Sequence, residues 1–232
     1  MGVWWLMDDG PNPSGGGPAP RSRARAVLVT AAATMLAIST GLAAQGGLVV
    51  GERPVFEALN DLPRPAGLPL VVVMGAGTSV GSLLLALVAL LAGRRRAAAA
   101  IGGAWLVARI LSTVMKVTVD RARAPGLITD AVLRQHLPAD PGFPSSHAAI
   151  AGGVAVAVGW AWPRARWPAL VVAVLVGLAR MYVGVHLPLD VVGGAALGLL
   201  SGLAAVAVVE ARWGPSRAAS VDAERPSPEG RR

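Results

Sequence analysis

Six long apolar runs, separated by short polar or charged stretches, dominate the chain. They cover residues 26–50, 68–92, 97–119, 147–162, 167–185 and 187–209. A bilayer core offers no water to backbone N–H and C=O groups, so an apolar run of about 20 residues that crosses it must be helical. The pattern therefore predicts an all-α protein, a polytopic membrane bundle with six transmembrane helices.

The same pattern predicts one membrane domain, residues 26–209, between two disordered cytoplasmic tails at 1–25 and 210–232. Both tails are rich in polar residues and Pro, a composition that does not support a packed core. Three arginines before the first run resemble the basic flank of a signal peptide. The run starts too late and is too long for a secretory signal, which predicts an uncleaved first span.

Composition supports the membrane class. Hydrophobic residues make up 54% of the 232 residues and charged residues only 15%, with a mean hydropathy of +0.58, too little charge to cover a soluble domain. The net charge of +8 would suggest nucleic acid in a soluble protein. Here the basic residues flank apolar runs, where they contact membrane lipids, so no nucleic acid is expected as a partner. The absence of cysteine excludes disulfides and thiolate catalysis.

The charge pattern also predicts an orientation. The basic clusters at 21–25, 94–96, 164–166 and beyond 212 fall on one side of a six-span arrangement. The positive-inside rule makes that side, with both termini, cytoplasmic. The polar loops 52–64 and 120–146 then face the periplasm or cell exterior. Four tryptophans lie near the predicted cytoplasmic boundary, as an interfacial belt does: Trp160, Trp162, Trp167 and Trp213.

Two clusters of polar groups stand at the ends of apolar runs. Lys116 and Arg123 are seven residues apart, a spacing that puts them on one face of a helix. Alone, they could equally be a snorkelling basic helix end. Ser145 and Ser146 precede His147 at the start of the fourth run, where free N–H groups form an anion site. Alone, this cluster is more simply an ordinary cap and an interfacial histidine.

The third cluster contains Arg180, His186 and Asp190, with the last two four residues apart. On a helix this spacing stacks the two side chains, and a carboxylate beside an imidazole fixes its tautomer and stabilises the imidazolium. A carboxylate at the start of an apolar span also needs a partner.

In the six-span arrangement all three clusters lie at the outer ends of the third to sixth spans. Together they hold three cations, two histidines, one carboxylate and a helix N-terminus, which can bind a phosphoryl group, attack it and protonate the leaving oxygen. No carboxylate cluster is available for magnesium, so no metal or cofactor is expected. The residues alone do not decide which histidine attacks.

These clusters resemble the three motifs of the type 2 phosphatidic acid phosphatase superfamily, over about residues 97–209. The family pattern is Lys-x6-Arg-Pro, Pro-Ser-Gly-His and Ser-Arg-x5-His-x3-Asp, and the order and spacing match here. Three small departures occur: Ala124 follows the motif arginine in place of proline, Ser146 replaces glycine, and Ala179 replaces serine. None removes a charged or nucleophilic member.

The resemblance implies a membrane lipid phosphatase acting at the outer face on a polyprenyl diphosphate, a phosphatidate, a phosphatidylglycerol phosphate or a glycolipid phosphate. His186 would attack phosphorus and form a phosphohistidine, Asp190 would orient it, and His147 would protonate the leaving alkoxide and then activate water. The phosphoryl oxygens would be held by a further set of residues: Lys116, Arg123, Arg180, Ser145 and Ser146.

Three other residues carry weaker expectations. Arg121 is a possible contact of the phosphate or the lipid headgroup. Arg109, within the third run, is expected to face the bundle interior and has no assigned role. Tyr182 is expected to be an interfacial aromatic. Two alternatives remain open: a non-catalytic transporter or binder of anionic lipid, and a metal site made by the two histidines and the aspartate.

Overall fold

The computed structural model describes residues 20–214, with side chains from residue 23 onward. This part of the chain is helical and contains no β-strand, which confirms the all-α prediction. The rest of the two predicted tails lies outside the described residues. The helices are α1 (Pro20–Ala43), α2 (Glu52–Asn60), α3 (Arg64–Met74), α4 (Ser79–Leu91), α5 (Arg95–Val119), α6 (Ala124–Leu127), α7 (Ser146–Ala161), α8 (Arg166–Tyr182) and α9 (Pro188–Trp213).

Four of these helices, α1, α5, α8 and α9, are long and apolar enough to cross a membrane. The pair α3 and α4 passes the same test together and makes a fifth candidate if it forms one bent span. Helix α7 has only 16 residues, about 24 Å at the rise of an α-helix. Residues 20–214 therefore hold four or five candidate spans by length and composition, and the predicted count of six is not reached.

The second apolar run is broken where the sequence pattern predicted one continuous helix. Helices α3 and α4 meet at 60°, across a 3-10 turn at Gly75–Gly77. Thr78 caps α4, because its hydroxyl accepts a hydrogen bond of 3.0 Å from the Gly81 N–H. Local capping by a threonine competes with helix continuation and carries no signature in hydropathy. The bend brings Gly77 so close to α7 that a Cβ there would lie 3.0 Å from the His147 carbonyl oxygen.

Helices α5, α7 and α9 pack at the centre through small residues. A Cβ on Gly198 of α9 would lie 2.3 Å from the Ala149 carbonyl oxygen of α7, and one on Gly194 would lie 2.5 Å from that of Ser145. Side chains of this size let helix backbones approach closely, which is how helices associate where apolar burial gives no advantage over lipid. The buried face of α5 is also mostly small: besides Ile101 and Lys116 it consists of Ala97, Ala100, Ala104, Ala108 and Ser112.

An ion pair connects two helices at the other end of the bundle. Arg25 of α1 donates to Glu210 of α9, with N–O distances of 2.6 and 2.9 Å. The indole N–H of Trp160 on α7 also donates to Glu210, at 2.8 Å. Trp162 is half-buried, and Trp167 and Trp213 are exposed near this end.

Two weaker expectations were wrong. Arg109 is exposed. The buried face of α5 runs through Ala104, Ala108 and Ser112, and residue 109 lies outside this face. Tyr182 is buried instead of interfacial. The guanidinium of Arg134 covers its ring at 4.3 Å from the centroid, an arrangement set by the fold of a distant loop.

The close α7–α9 contact gives a matched glycine test. We expect Gly198→Ala to lower the thermal stability of the detergent-solubilised protein, since its methyl group collides with the α7 backbone at a cost of about 1–3 kcal/mol. Gly102→Ala in α5 meets nothing within 4 Å and should be neutral or stabilising by about 0.5–1 kcal/mol through helix propensity. Melting followed by tryptophan fluorescence measures both. Equal melting temperatures for the two variants would contradict the packing described.

Candidate active site

Four helix ends meet at one end of the bundle and carry the motif residues. These are the C-terminal ends of α5 and α8 and the N-terminal ends of α7 and α9. The loop of residues 128–145 covers them and is tied down by Asn60 of α2. The Asn60 amide donates to the carbonyls of Val132 at 3.0 Å and Tyr182 at 3.1 Å, and its oxygen accepts from the Val132 N–H at 2.8 Å.

His186 and Asp190 are in contact, with 3.4 Å between Nδ1 and Oδ2. The contact does not arise from helical stacking, because α9 begins only at Pro188. Asp190 instead caps α9 from its first turn: Oδ2 accepts a 2.9 Å hydrogen bond from the Leu187 N–H. The cap holds the carboxylate against the imidazole that precedes the helix.

The other ring nitrogen of His186, Nε2, lies 3.1 Å from a guanidinium nitrogen of Arg123. Arginine can only donate, so Nε2 must accept with its lone pair, and the ring proton sits on Nδ1, facing Asp190. In this tautomer the lone pair of Nε2 points towards the cations of the site.

The protonation state of His186 fits the same arrangement. Complete burial, followed by the positive charges of Arg180, Arg123 and Lys116, holds the pKa of His186 well below its usual value of 6.5. The imidazole is therefore neutral at physiological pH, a state in which it can accept a bond at Nε2.

Lys116 and Arg123 converge, although not along one helix. Helix α5 ends at Val119 and Asp120 takes a left-handed conformation with φ of 49°, so the two-turn geometry predicted from the spacing was wrong. A carboxylate joins them: Asp140 lies 3.3 Å from Lys116 Nζ and 2.7 Å from an Arg123 nitrogen.

Asp140 stays ionised between these cations. Partial burial alone would raise the pKa of Asp140, but the hydrogen bond from Arg123 and the charge of Lys116 lower it below its usual value. Its side chain is 48% exposed, so an anion from outside can compete with it for the two cations.

Several polar atoms at the site are buried without a hydrogen-bond partner among the described residues. They are the hydroxyls of Ser145 and Ser146 and Nε of Arg180. Arg180 uses a terminal nitrogen to reach the Gln135 side-chain oxygen at 3.0 Å and the sulfur of Met74 at 3.1 Å. Unpartnered buried donors are costly, and beside three cations an anionic ligand can supply the acceptor.

His147 lies in the first turn of α7 and is half-buried. Its backbone packs on Gly77 of the broken helix. The positive charges of Arg180, Arg123 and Lys116 act on His147 as well as on His186, and the charge of His147 acts on His186. The structure therefore brings both imidazoles and all three cations to one site.

Arg121 is placed differently from the expectation. Its side chain has no exposed surface, so it cannot reach a lipid headgroup. It bridges Asp190 and Glu52, the first residue of α2, at 3.0 and 3.2 Å. Sequence reasoning missed Glu52, Asp140 and Gln135, because none has a characteristic spacing from the motif residues.

Among residues 20–214 no group of three His, Asp or Glu side chains is arranged to hold a metal ion. The two histidines and Asp190 therefore do not form the ligand set considered from the sequence. The charges around them are those of an anion site.

Residues 97–214 match the profile of the PAP2 superfamily. This match covers half of the chain and contains all three motifs, so the chain belongs to the PAP2 superfamily. The family resemblance seen in the sequence is confirmed.

Proteins similar to this chain include two curated proteins and one solved structure. An undecaprenyl-diphosphatase of Sulfolobus acidocaldarius is 36% identical over 95 residues, 40% of this chain and 46% of its own length. A lipid A 1-phosphatase of Rhizobium johnstonii is 33% identical over 110 residues, 45% of this chain and 44% of its own length. The chain thus spans less than half the length of these curated relatives.

The solved structure is that of a transmembrane PAP2-type phosphatidylglycerolphosphate phosphatase from Bacillus subtilis. It superposes with a TM-score of 0.61 at 23% identity, over 78% of this chain and 96% of the other. At this identity the likeness shows a shared fold. The apolar helices and these relatives together make the chain a membrane protein.

The position of Asp140 leads to a prediction about anion affinity. Replacing it with Asn removes the counter-charge of Lys116 and Arg123, so inorganic phosphate should bind several-fold more tightly, since a partly buried charge at hydrogen-bonding distance contributes about 1 kcal/mol or more. Phosphate-dependent stabilisation of the purified protein against heat measures the affinity. Asp130→Asn, in the same loop but paired with Arg53 at 2.9 Å, is the control. Unchanged or weaker phosphate binding by Asp140→Asn would contradict the competition.

Proposed function

We propose that this protein is a membrane phosphatase that removes a phosphoryl group from a lipid phosphomonoester or diphosphate through a phosphohistidine intermediate. The observation that carries the proposal is the His186–Asp190 pair, whose Nε2 keeps its lone pair towards Arg123 in a cluster of cations and unpartnered donors. Binding of an anion needs the cations alone. An oriented neutral imidazole at the same place adds a nucleophile.

In the first step a phosphoryl group replaces Asp140 and Gln135 as the acceptor for Lys116, Arg123 and Arg180. The Ser145 and Ser146 hydroxyls and the N–H groups that open α7 donate to the remaining oxygens. Fixed cations and donors around the phosphoryl oxygens offset the charge that develops in the transition state, which is the main source of catalysis in phosphoryl transfer.

In the second step His186 Nε2 attacks phosphorus, and the bond to the lipid oxygen breaks. The negative charge of the bound phosphoryl group offsets the three cations, so that His147 takes up a proton in the complex and gives it to the leaving alkoxide, while Asp190 accepts the hydrogen bond from the now cationic His186. His147, neutral after this transfer, takes a proton from water, and the resulting hydroxide attacks the phosphohistidine. Phosphate leaves, and both histidines return to their starting states.

Non-catalytic transport or binding of an anionic lipid is the second candidate, since charged residues at membrane depth also occur in transporters. It explains the cations but gives no role to the Nδ1–H tautomer of His186. Catalysis explains both.

The family and the apolar runs support the full six-helix bundle, with α3 and α4 as one bent span and α7 as a short sixth. Proline and glycine breaks are tolerated where neighbouring helices cover the freed backbone. A short α7 keeps the site somewhat below the outer headgroups, so that a lipid phosphate can enter from the side. The charge pattern supports a topology with both termini in the cytoplasm and the site at the periplasmic or outer face.

The catalytic roles predict different effects for the chain's three histidines. His186→Ala should lower phosphate release by about a thousandfold or more, since it removes the nucleophile. His136→Ala is the matched control, because His136 is exposed in the 128–145 loop and should keep full activity. Release of phosphate from lipid substrates by the folded variants measures this. Substantial activity of His186→Ala would end the assignment of the nucleophile, and no activity of the unaltered protein on any lipid phosphate would favour the transporter.

His147 is tested by the leaving group. His147→Gln should block turnover of alkyl phosphates, whose leaving oxygen needs a proton, but still accept the phosphoryl group from an aryl phosphate with an acidic leaving group. Since the same variant cannot activate water, an acid-labile, base-stable phosphoenzyme should accumulate. Rapid quenching with radiolabelled aryl phosphate detects it. A variant that turns over both substrates equally well would contradict the role of His147.

The proposed substrate belongs to a small group of lipid phosphates. The curated relatives are named for undecaprenyl diphosphate and lipid A 1-phosphate, and the solved neighbour for phosphatidylglycerol phosphate. All three present a terminal phosphoryl group on an amphiphile. We expect one of these lipid classes to give a kcat/KM well above the others in mixed micelles. Assaying the three classes side by side identifies the substrate.

Orientation is tested with a single cysteine, since the chain has none. Asp130→Cys in the 128–145 loop should react with a membrane-impermeant maleimide added to intact spheroplasts. A cysteine at Arg95, at the opposite end of α5, should react only after lysis. Labelling of Arg95→Cys alone from outside would invert the proposed topology.

A further inference from the structure

Glu52 is a buried carboxylate far from the motifs in sequence and close to them in space. It opens α2 and is 5% exposed. One oxygen accepts hydrogen bonds from the Leu189 N–H at 3.0 Å and from Arg121 at 3.2 Å. The other accepts from the Val49 N–H at 2.9 Å and from Arg121. Both oxygens are therefore engaged, and α2 is fastened to the start of α9.

Arg121 connects this carboxylate to the catalytic one. A single terminal nitrogen contacts both Glu52 and Asp190 Oδ1, the latter at 3.0 Å. The second terminal nitrogen donates to Glu52 and, at 2.9 Å, to the Gly47 carbonyl. The guanidinium is wholly buried and turned away from the phosphoryl site.

The two carboxylate oxygens of Asp190 have different partners. Oδ1 accepts from Arg121, while Oδ2 faces His186 Nδ1 and the Leu187 N–H. A continuous series of contacts thus runs from Glu52 through Arg121 and Asp190 to His186.

The charges of these side chains have an electrostatic role that packing alone does not require. Arg121 alone would neutralise Asp190 and leave a poor partner for a cationic imidazole. Glu52 offsets the charge of Arg121, so that the three side chains carry a net charge of −1. That surplus is what stabilises His186 when it becomes cationic on attacking phosphorus.

We propose that Glu52 and Arg121 are positioning residues for His186, which act through Asp190 by fixing its carboxylate and keeping its negative charge available. The proposal rests on the proposed function, in which His186 is the nucleophile. A purely structural role, in which the two residues only anchor α2, is the competing outcome.

The two roles differ in the direction of their effects on the pH profile. Glu52→Gln removes a negative charge from the series, which favours neutral His186, so the acid limb of kcat/KM should move to lower pH. Arg121→Gln removes a positive charge, so the limb should move to higher pH, each by roughly half a pH unit or more. The charged or titrating groups that face His186 are unchanged in both variants: Lys116, Arg123, Arg180, His147 and Asp190.

Both variants should lower kcat by about tenfold or more, with KM within about twofold, because neither residue touches the phosphoryl group. The double variant Glu52→Gln/Arg121→Gln restores the net charge and should return the acid limb close to its original position. It also keeps the proposal testable if a single variant with an unpaired buried charge fails to fold. The exposed pair Arg53–Glu57 on the same helix supplies the control Glu57→Gln, which should change nothing.

Loss of stability with unchanged kcat and unchanged acid limb would overturn the proposal, as would shifts in the same direction for both single variants. Nitrogen-15 NMR of the three histidines separates this failure from failure of the proposed function. If no lipid phosphate is hydrolysed, the function falls, yet opposite shifts of the His186 titration in the two variants would still demonstrate the coupling, and their absence would reject it.

Discussion

The carboxylate of Asp190 has no exposed surface, and the rest of the site depends on how its charge is compensated. Its oxygens contact Arg121, His186 and the Leu187 N–H, and its backbone carbonyl accepts from the Ser145 N–H at 2.9 Å. One residue thus joins the loop after α5, the entry to α7 and the start of α9. Removing one partner of such a buried ion pair costs about 3–5 kcal/mol, which holds these segments to a single arrangement.

Small residues make this arrangement possible. Gly194 and Gly198 let α9 approach α7 until backbone oxygens lie where a Cβ would stand, and that approach sets Ser145 beside Asp190. Gly142 allows a similar close approach in the loop, because a Cβ there would lie 3.2 Å from an Asp190 oxygen. The alanine- and glycine-rich composition therefore has a structural consequence: the backbones approach closely enough to bring the charged residues of four helix ends together.

The site holds three cations close together, and nearby oxygens compensate their charge. Three cations near one point repel each other, and the oxygens of Asp140 and Gln135 offset that repulsion. Because Asp140 is partly exposed, an incoming phosphate can replace it without leaving a buried charge unpaired. The buried Glu52–Arg121 pair cannot exchange in this way, which suits it to support Asp190.

The sequence by itself determined the helical class, the apolar runs and the motif residues, because hydropathy and short-range spacing are local properties. It also predicted the contact of His186 with Asp190, although the capping geometry that makes it was different. The break between α3 and α4, the exposed position of Arg109 and the partners Glu52, Asp140 and Gln135 were decided only by the tertiary structure. Contacts such as Glu52–Arg121 join residues 69 positions apart, and which buried charge meets which depends on helix packing that no local pattern records.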